Sequence, residues 1–322
     1  MKNNTFEEII HEIEKAGRIA IFPHILMDGD AMGSAVALCH AFRNAGKDAA
    51  VIIEDKIPDY LAFLGEDYCT YDQKSYMDSD IALCIDCGEL KRFPERADTF
   101  MSGKTKICID HHPSSPGIGD FNYIDGGAAA AGELVYDLLK TWRINFDSTI
   151  SNAIFAAITT DTGNFQYSNT TKRSHEIVMD LYDKGLDAYA TSVALYENES
   201  FAKISLMSRV LSEADVFAGG KAIIGSVSMD LLEETGARME DTEGIVGTMR
   251  SIKGIDIAVL LKEKMANHVK VSLRAKEGNV AVIAESMGGG GHERAAGCTL
   301  YSDLESVRED IIKAVEESLC RE

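Results

Sequence analysis

Asp110, His111 and His112 stand together at the end of a short apolar run in the segment ICIDHHPSS. Adjacent carboxylates and imidazoles are proton carriers or metal ligands. The question is what other donors the chain can bring to them. Three further segments offer such groups. PHILMDGDAMGS follows the run RIAIF and carries His24, Asp28 and Asp30; Asp86 follows DIALCI; Asp161 lies in TTDTGNF after a helical pattern at 148–159. One Asp after a strand is ordinarily a turn residue or a helix cap. A lone histidine is ordinarily a satisfied polar residue, and His11, His40, His175 and His268 are read that way. What changes the reading elsewhere is recurrence of the same residue types at the same end of successive segments. A donor set rich in carboxylates, with one or two imidazoles, suits a hard or borderline divalent ion, Mn²⁺ or Mg²⁺ above zinc. Two such ions ~3.5–4 Å apart clamp a phosphoryl group and activate water. Asp86, from a central strand, is the natural bridging carboxylate.

These donors need a scaffold that aims them at one place. RIAIF (18–22), DAAVII (48–53), DIALCI (80–85) and KICI (106–109) read as strands, with helices at 33–44, 128–141 and 148–159. Continuous apolar strands separated by helices predict a parallel sheet covered on both faces, which binds ligands at the carboxyl ends of its strands. Gly33 and Ser34, opening the first of those helices, offer an approach point for a phosphate. Residues 172–215 read as helical throughout. The remainder changes character: KAIIGSVS (221–228), DIAVLLKE (256–263) and HVKVSLRA (268–275) are strands, 228–236, 241–250 and 303–319 are helices, and GGGGH (288–292) is a loop. The fold class is therefore α/β: an N-terminal parallel-sheet domain over 1–190, a helical linker over 191–215, and a smaller α/β domain with an antiparallel or mixed sheet over 216–322.

Composition narrows the partners. The 322 residues exceed the size at which one core usually keeps growing, and a formal net charge of −20 opposes a long duplex held through many phosphates. A small anion, neutralised locally by cations, is compatible with that charge. No apolar run approaches the ~20 residues of a membrane helix. The acidic, amphipathic start MKNNTFEEIIHEIEKAG is unlike a secretory signal, which leads to a cytoplasmic expectation. The seven cysteines are odd in number and scattered. Cys84 and Cys87 form C-x-x-C without a second pair, so they read as small core residues of a reduced protein.

Taken in order, HILMDGDAMGS, CIDCG, IDHHPS and ITTDTGNF resemble the four N-terminal motifs of the DHH phosphoesterases, and MGGGGHERAAG resembles the glycine-rich motif of the DHH-associated domain. The resemblance covers nearly the whole chain. Within that family it is similar to the nanoRNase and pAp phosphatase subgroup, whose members trim short oligonucleotides to mononucleotides and remove the 3′-phosphate of 3′-phosphoadenosine 5′-phosphate. It implies two divalent ions, Mn²⁺ ahead of Mg²⁺. One would be held by His24, Asp28 and Asp86, the other by Asp30, Asp86, His111 and Asp161. His112 would touch the scissile phosphate, with Asp110 orienting a histidine. Arg274, Gly290, Gly291 and His292 would hold the substrate, and Arg294 adds a donor beside them. Met27 stands where the family often has proline, without loss of a ligand. A homodimer is compatible with the resemblance. The rival readings are a cyclic di-AMP phosphodiesterase, a manganese-dependent inorganic pyrophosphatase, a processive single-strand exonuclease, and a non-catalytic nucleotide sensor. The pyrophosphatase would carry a basic cluster in place of GGGGH, the exonuclease is usually longer, and the sensor would lack a ligand.

Overall fold

The apolar runs of the first half become strands β1 (Arg18–Phe22), β2 (Asp48–Ile52), β3 (Cys69–Thr70), β4 (Ile81–Ile85), β5 (Thr105–Asp110) and β6 (Phe121–Ile124). They form one parallel sheet in the order β3-β2-β1-β4-β5-β6. β4 is buried along its whole length, as expected of a strand covered on both faces. The structure is a computed structural model; it describes residues 3–319, and the chain divides into two units between Asn198 and Glu199. None of the described helices is long and apolar enough to cross a membrane.

The N-terminal unit adds helices α1 (Phe6–Lys15), α2 (Gly29–Asn44), α3 (Ala97–Ser102), α4 (Ala131–Thr141), α5 (Ser148–Asp161), α6 (Lys172–Tyr182) and α7 (Ala188–Tyr196). α1 starts on a capping box between Thr5 and Glu8 and buries Ile9, Ile10 and Ile13. One face of the sheet packs Ile19, Ile21, Leu83 and Ile107 against α2, α4 and α5; the other packs Phe22, Cys84 and Cys108 against Phe93 and Phe100. Cys84, Cys87 and Cys108 are thus buried core residues.

The strand order reverses direction of travel at β1 and β4. The chain moves outward from β1 to β3 on one side, then returns to place β4 on the other. Such a switch point opens a crevice at the carboxyl ends of the two strands, and the loops carrying His24, Asp28 and Asp86 leave those ends.

The α2 helix starts earlier than the sequence suggested. Asp28 is its N-cap and Gly29 its first residue. Gly33 and Ser34 therefore lie inside the helix and are buried, and the phosphate-approach role expected of them is withdrawn. Gly33 serves packing instead: a Cβ there would meet the Ala153 carbonyl of α5 at 2.3 Å. Asp161, expected in a loop, is the last residue of α5.

The C-terminal unit holds a six-stranded mixed sheet of β7 (Asp215–Phe217), β8 (Ala222–Val227), β9 (Ile257–Met265), β10 (His268–Ala275), β11 (Gly290–His292) and β12 (Ala295–Leu300). The order is β11-β12-β10-β9-β8-β7, with β8 and β9 parallel and the other pairs antiparallel. Its helices are α8 (Phe201–Glu213), α9 (Met229–Thr235), α10 (Ile245–Ser251), α11 (Val280–Ser286) and α12 (Leu304–Leu319). α8 packs Leu206 and Val210 into the core of this unit. The segment expected as a GGGGH loop ends in the edge strand β11.

Candidate metal centre

Asp86 sits at the centre of the candidate site. It follows β4 with φ 58°, a left-handed conformation that Asp tolerates better than most residues. Its Oδ1 lies 3.3 Å from His111 Nε2 and its Oδ2 lies 3.4 Å from His24 Nε2. The two oxygens thus face two different imidazoles. Around His24, Asp28 Oδ2 is 3.8 Å away; around His111, Asp30 Oδ2 is at 3.6 Å and Asp161 Oδ2 at 3.7 Å. Two potential ligand sets result, one of His24, Asp28 and Asp86 and one of Asp30, His111 and Asp161, with Asp86 also grouping with His111 and His112.

The backbone holds each donor in its attitude. Asp28 Oδ1 caps α2 by accepting from the amides of Asp30 and Ala31, which leaves Oδ2 for the cluster. His24 donates from Nδ1 to the Ile25 carbonyl at 2.7 Å, and His111 from Nδ1 to the Ala128 carbonyl at 3.2 Å. Each bond fixes the tautomer that turns Nε2 toward the carboxylates. His112 is half exposed, and its Nδ1 lies 2.7 Å from Asp110 Oδ1, so its Nε2 is the free end.

A segment whose role the sequence reading missed completes the site. Gly126–Gly132 is GGAAAAG, whose last five residues were expected only as the start of the helix at 128–141; that helix begins at Ala131. In the fold the segment supplies the Ala128 carbonyl to His111, while the amides of Ala131 and Gly132 donate to the two oxygens of Asp30 at 2.6 and 2.9 Å. α4 has no side-chain cap of its own, so Asp30 caps it from α2. Small residues are required for this approach: a Cβ on Gly132 would lie 2.6 Å from the Ala157 Cβ. Asn169, also unremarked in the sequence, donates from its amide nitrogen to the carbonyls of Ala129 and Asp161 and ties this segment to the end of α5.

The electrostatics call for cations. Burial alone would lower the His111 pKa, but Asp86, Asp30 and Asp161 raise it to about 10. Burial likewise opposes protonation of His24, and Asp86 and Asp28 outweigh it. Burial, then the Asp86 charge, lifts Asp30 well above the carboxylate range, and burial lifts Asp161 to about 6. Burial works the same way on Asp86, but His111 and His24 bring it down to about 2. The metal-free cluster thus holds extra protons to offset four carboxylates, a charge that two divalent ions would match. The donor spacing agrees. Ligand atoms on bonds of about 2.1 Å, at octahedral to tetrahedral angles, sit roughly 3.0–3.4 Å apart. The imidazole–carboxylate distances of 3.3 to 3.8 Å are near that and long for hydrogen bonds. Asp86 Oδ1 is buried without a hydrogen-bond partner among the described residues, which is the polar atom a cation would satisfy. The residues present fit a two-cation centre.

In the C-terminal unit, register places Arg274 and His292 on either side of Ala295 on one face of the sheet. Gly290 lies on the same face one pair further on. Gly291 has φ 147° and turns to the other face, where a Cβ would meet Ala296 at 2.5 Å. Arg294 lies in the turn before β12 and donates to the Gly278 carbonyl.

Residues 18–160 match the DHH family N-terminal domain and residues 219–320 the DHHA1 domain. A bifunctional oligoribonuclease and PAP phosphatase of Thermus thermophilus is 33% identical over 97% of this chain and 94% of its own. The protein of the same name from Bacillus subtilis is 27% identical over 98% of both chains. Among solved structures, an exopolyphosphatase-related protein of Bacteroides fragilis superposes with a TM-score of 0.89 at 27% identity, over 97% of this chain and 95% of that one. RecJ of Thermus thermophilus in complex with Mn²⁺ shares the fold, with a TM-score of 0.58 at 15% identity over 100% of this chain and 55% of that one.

Proposed function

The chain belongs to the DHH family, and from that premise we propose that it is a metal-dependent phosphoesterase releasing mononucleotides from short oligonucleotides and AMP from 3′-phosphoadenosine 5′-phosphate. The observation that carries the reading is the pair of ligand sets joined by Asp86, whose buried Oδ1 lacks a hydrogen-bond partner among the described residues. The relatives named oligoribonuclease and PAP phosphatase align over nearly the full length of this chain, which favours their substrates over pyrophosphate or a cyclic dinucleotide.

His24, Asp28 and Asp86 would hold one ion and Asp30, Asp86, His111 and Asp161 the other, with Mn²⁺ the preferred metal. When bound, such ions supply positive charge to the phosphoryl oxygens and lower the pKa of the attacking water. The protein's part is positioning and charge. Asp110 holds the His112 ring by Nδ1, so that Nε2–H donates to a phosphoryl oxygen as negative charge develops there. Water adds to phosphorus, the P–O bond to the leaving nucleoside oxygen breaks, and that oxygen takes up a proton. Arg274, His292 and the glycine amides of 290–291 hold the remaining nucleotide. The net charge of −20 keeps long duplexes away and favours a few nucleotides at a time. The protein would work in the cytoplasm.

The test is a hydrolysis panel with Mn²⁺, offering pApA, cyclic di-AMP, a five-nucleotide RNA, 3′-phosphoadenosine 5′-phosphate and pyrophosphate. Mononucleotides from pApA and the RNA are expected. Turnover of pyrophosphate alone would overturn the substrate assignment, and turnover of nothing would overturn the enzymatic reading.

A further inference from the structure

One face of the C-terminal sheet carries cations that make no ion pair among the described residues. Residues paired across a ladder project from the same face, and the register sets out three rows. The first is Ala258, Arg274, Ala295 and His292; the second Leu260, Ser272, Gly297 and Gly290; the third Val227, Lys262, Lys270 and Thr299. Val227, Ala258 and Leu260 belong to the core under α8, α9 and α10. Beyond them the middle row has no side chain larger than that of Ser272. A floor of Ser272, Gly297 and Gly290 is thus bordered by Arg274 and His292 on one side and by Lys262, Lys270 and Thr299 on the other.

Lys262 is the informative residue. It is only 8% exposed. Its ammonium makes no hydrogen bond or ion pair among the described residues, so its stem is covered while its charge is left without a partner. Burial pulls its pKa down; Glu243 opposes this, while Lys270, Lys264 and Arg274 add to it. Lys270 stands directly opposite it, a like-charge pair that destabilises a ladder. Among the described residues Arg274 donates only to the adjacent Leu273 carbonyl. With 52 acidic residues in the chain, leaving these cations unpaired is not for want of partners.

We infer that Lys262 and Lys270 form a second phosphate subsite, which takes a phosphodiester group of an oligonucleotide further along the chain than the phosphate held at Arg274 and His292. The inference rests on the reading of this protein as a nucleotide phosphoesterase. Arg274 and Lys270 are four residues apart, about 13 Å of strand, so side chains standing perpendicular to the sheet address different phosphates. A dinucleotide held at Arg274 leaves the lysines empty, and a longer oligonucleotide fills both places across the glycine floor. Thr299 offers a hydroxyl beside Lys270. The subsite sets a preference for substrate length.

The experiment compares a five-nucleotide RNA with pApA on the full chain with Mn²⁺, for wild type, Lys262→Met, Lys270→Gln and the double variant. The expected result is a fall of about tenfold in kcat/KM for the RNA relative to pApA in the double variant. The salt slope for the RNA should also be shallower by about one to two released counterions. Lys270→Arg, which keeps the charge, should keep the wild-type ratio. Lys262→Met should raise Tm, because it relieves the like-charge pair with Lys270. A substrate ratio equal to that of wild type would overturn the subsite, and so would equal losses on both substrates, which mark a purely structural role. Inactivity of wild type on both substrates would instead sink the proposed function. In that case, binding of a fluorescent five-nucleotide RNA decides: equal affinity in wild type and double variant overturns the subsite.

Discussion

Gly33→Ala tests whether close helix packing sets the spacing of the carboxylates. A Cβ at Gly33 would lie 2.3 Å from the Ala153 carbonyl oxygen, 3.0 Å from the Ala157 nitrogen and 3.2 Å from the Ala157 Cβ. Carbon and carbonyl oxygen approach no closer than about 3.3 Å, so α2 and α5 must part by about 1 Å. Overpacking of this kind costs about 1–3 kcal/mol, against a gain of up to about 1 kcal/mol for Ala over Gly in a helix. The net loss of stability is then about 0–2 kcal/mol, too little to unfold the unit. The functional loss should be larger. α2 carries Asp28 and Asp30, and α5 ends in Asp161, so the shift separates ligands by about 1 Å. A misplacement of that size costs up to about 100-fold in turnover. Gly247 in α10 is the control: its Cβ would meet nothing within 4 Å, so Gly247→Ala should stabilise by up to about 1 kcal/mol. Urea unfolding in EDTA gives the stability change, calorimetric titration with Mn²⁺ the metal affinity, and pApA hydrolysis the turnover. If Gly33→Ala kept both Mn²⁺ affinity and turnover within about twofold of wild type, the close packing of α2 on α5 would not be what places the carboxylates.

Asp86→Ala should abolish both Mn²⁺ binding and hydrolysis, as followed by titration and the pApA assay; near-normal turnover with metal bound would sink the shared-ligand reading. Asp110→Asn should lower kcat by about tenfold or more with little change in KM, because the ring of His112 loses its anchor while the metal donors stay. Asp80 directly precedes the central strand β4, and Lys104 with the amides of Arg18 and Gly17 holds its carboxyl at about 2. A depressed carboxylate contributes stability above its unfolded pKa and loses it as pH falls through the folded value. Discounted for its exposure, Asp80→Asn should cost roughly 1 kcal/mol at pH 7, and the difference in melting from wild type should close as pH falls toward 2.

The parts of this fold that were legible in the sequence are those that repeat a simple physical pattern. β1, β4 and β5 are continuous apolar runs because both faces are covered, and the acids that follow them stand out against that background. The edge strands β3, β6, β7 and β11 pair on one side, are only two to four residues long and were not foreseen. β12 was also passed over, since AAGCTL is broken by its glycine. The start of α2 was misplaced for a related reason. Gly29 and Gly33 disfavour a helix by propensity, and the packing against Ala153, Ala157 and Thr160 that selects them is invisible along the chain. The role of the 126–132 segment escaped notice because its contribution is backbone carbonyls and amides, which every residue has. Its only sequence signal is the absence of any large side chain.

That segment also explains how the fold can afford four buried or half-buried acids at one point. Asp28 and Asp30 each lie at a helix N-terminus, the first capping α2 and the second receiving the amides of α4. Exposed peptide N–H groups and the helix dipole stabilise carboxylates there. Asp161 is in the opposite situation: it ends α5, where the dipole is negative and a carboxylate is disfavoured. Burial displaces its pKa to about 6 in the metal-free protein. Two acids are thus met by backbone amides of the fold, and a third is held where only a nearby cation makes its charge favourable. A site built for structure alone would have placed Lys or Arg at the end of α5. Asp161 there costs stability until a cation binds, so Asp161→Asn should raise the melting temperature in EDTA while reducing the further rise on adding Mn²⁺. Equal stabilisation by Mn²⁺ in the variant and in wild type would show that Asp161 is not among the groups that hold the metal.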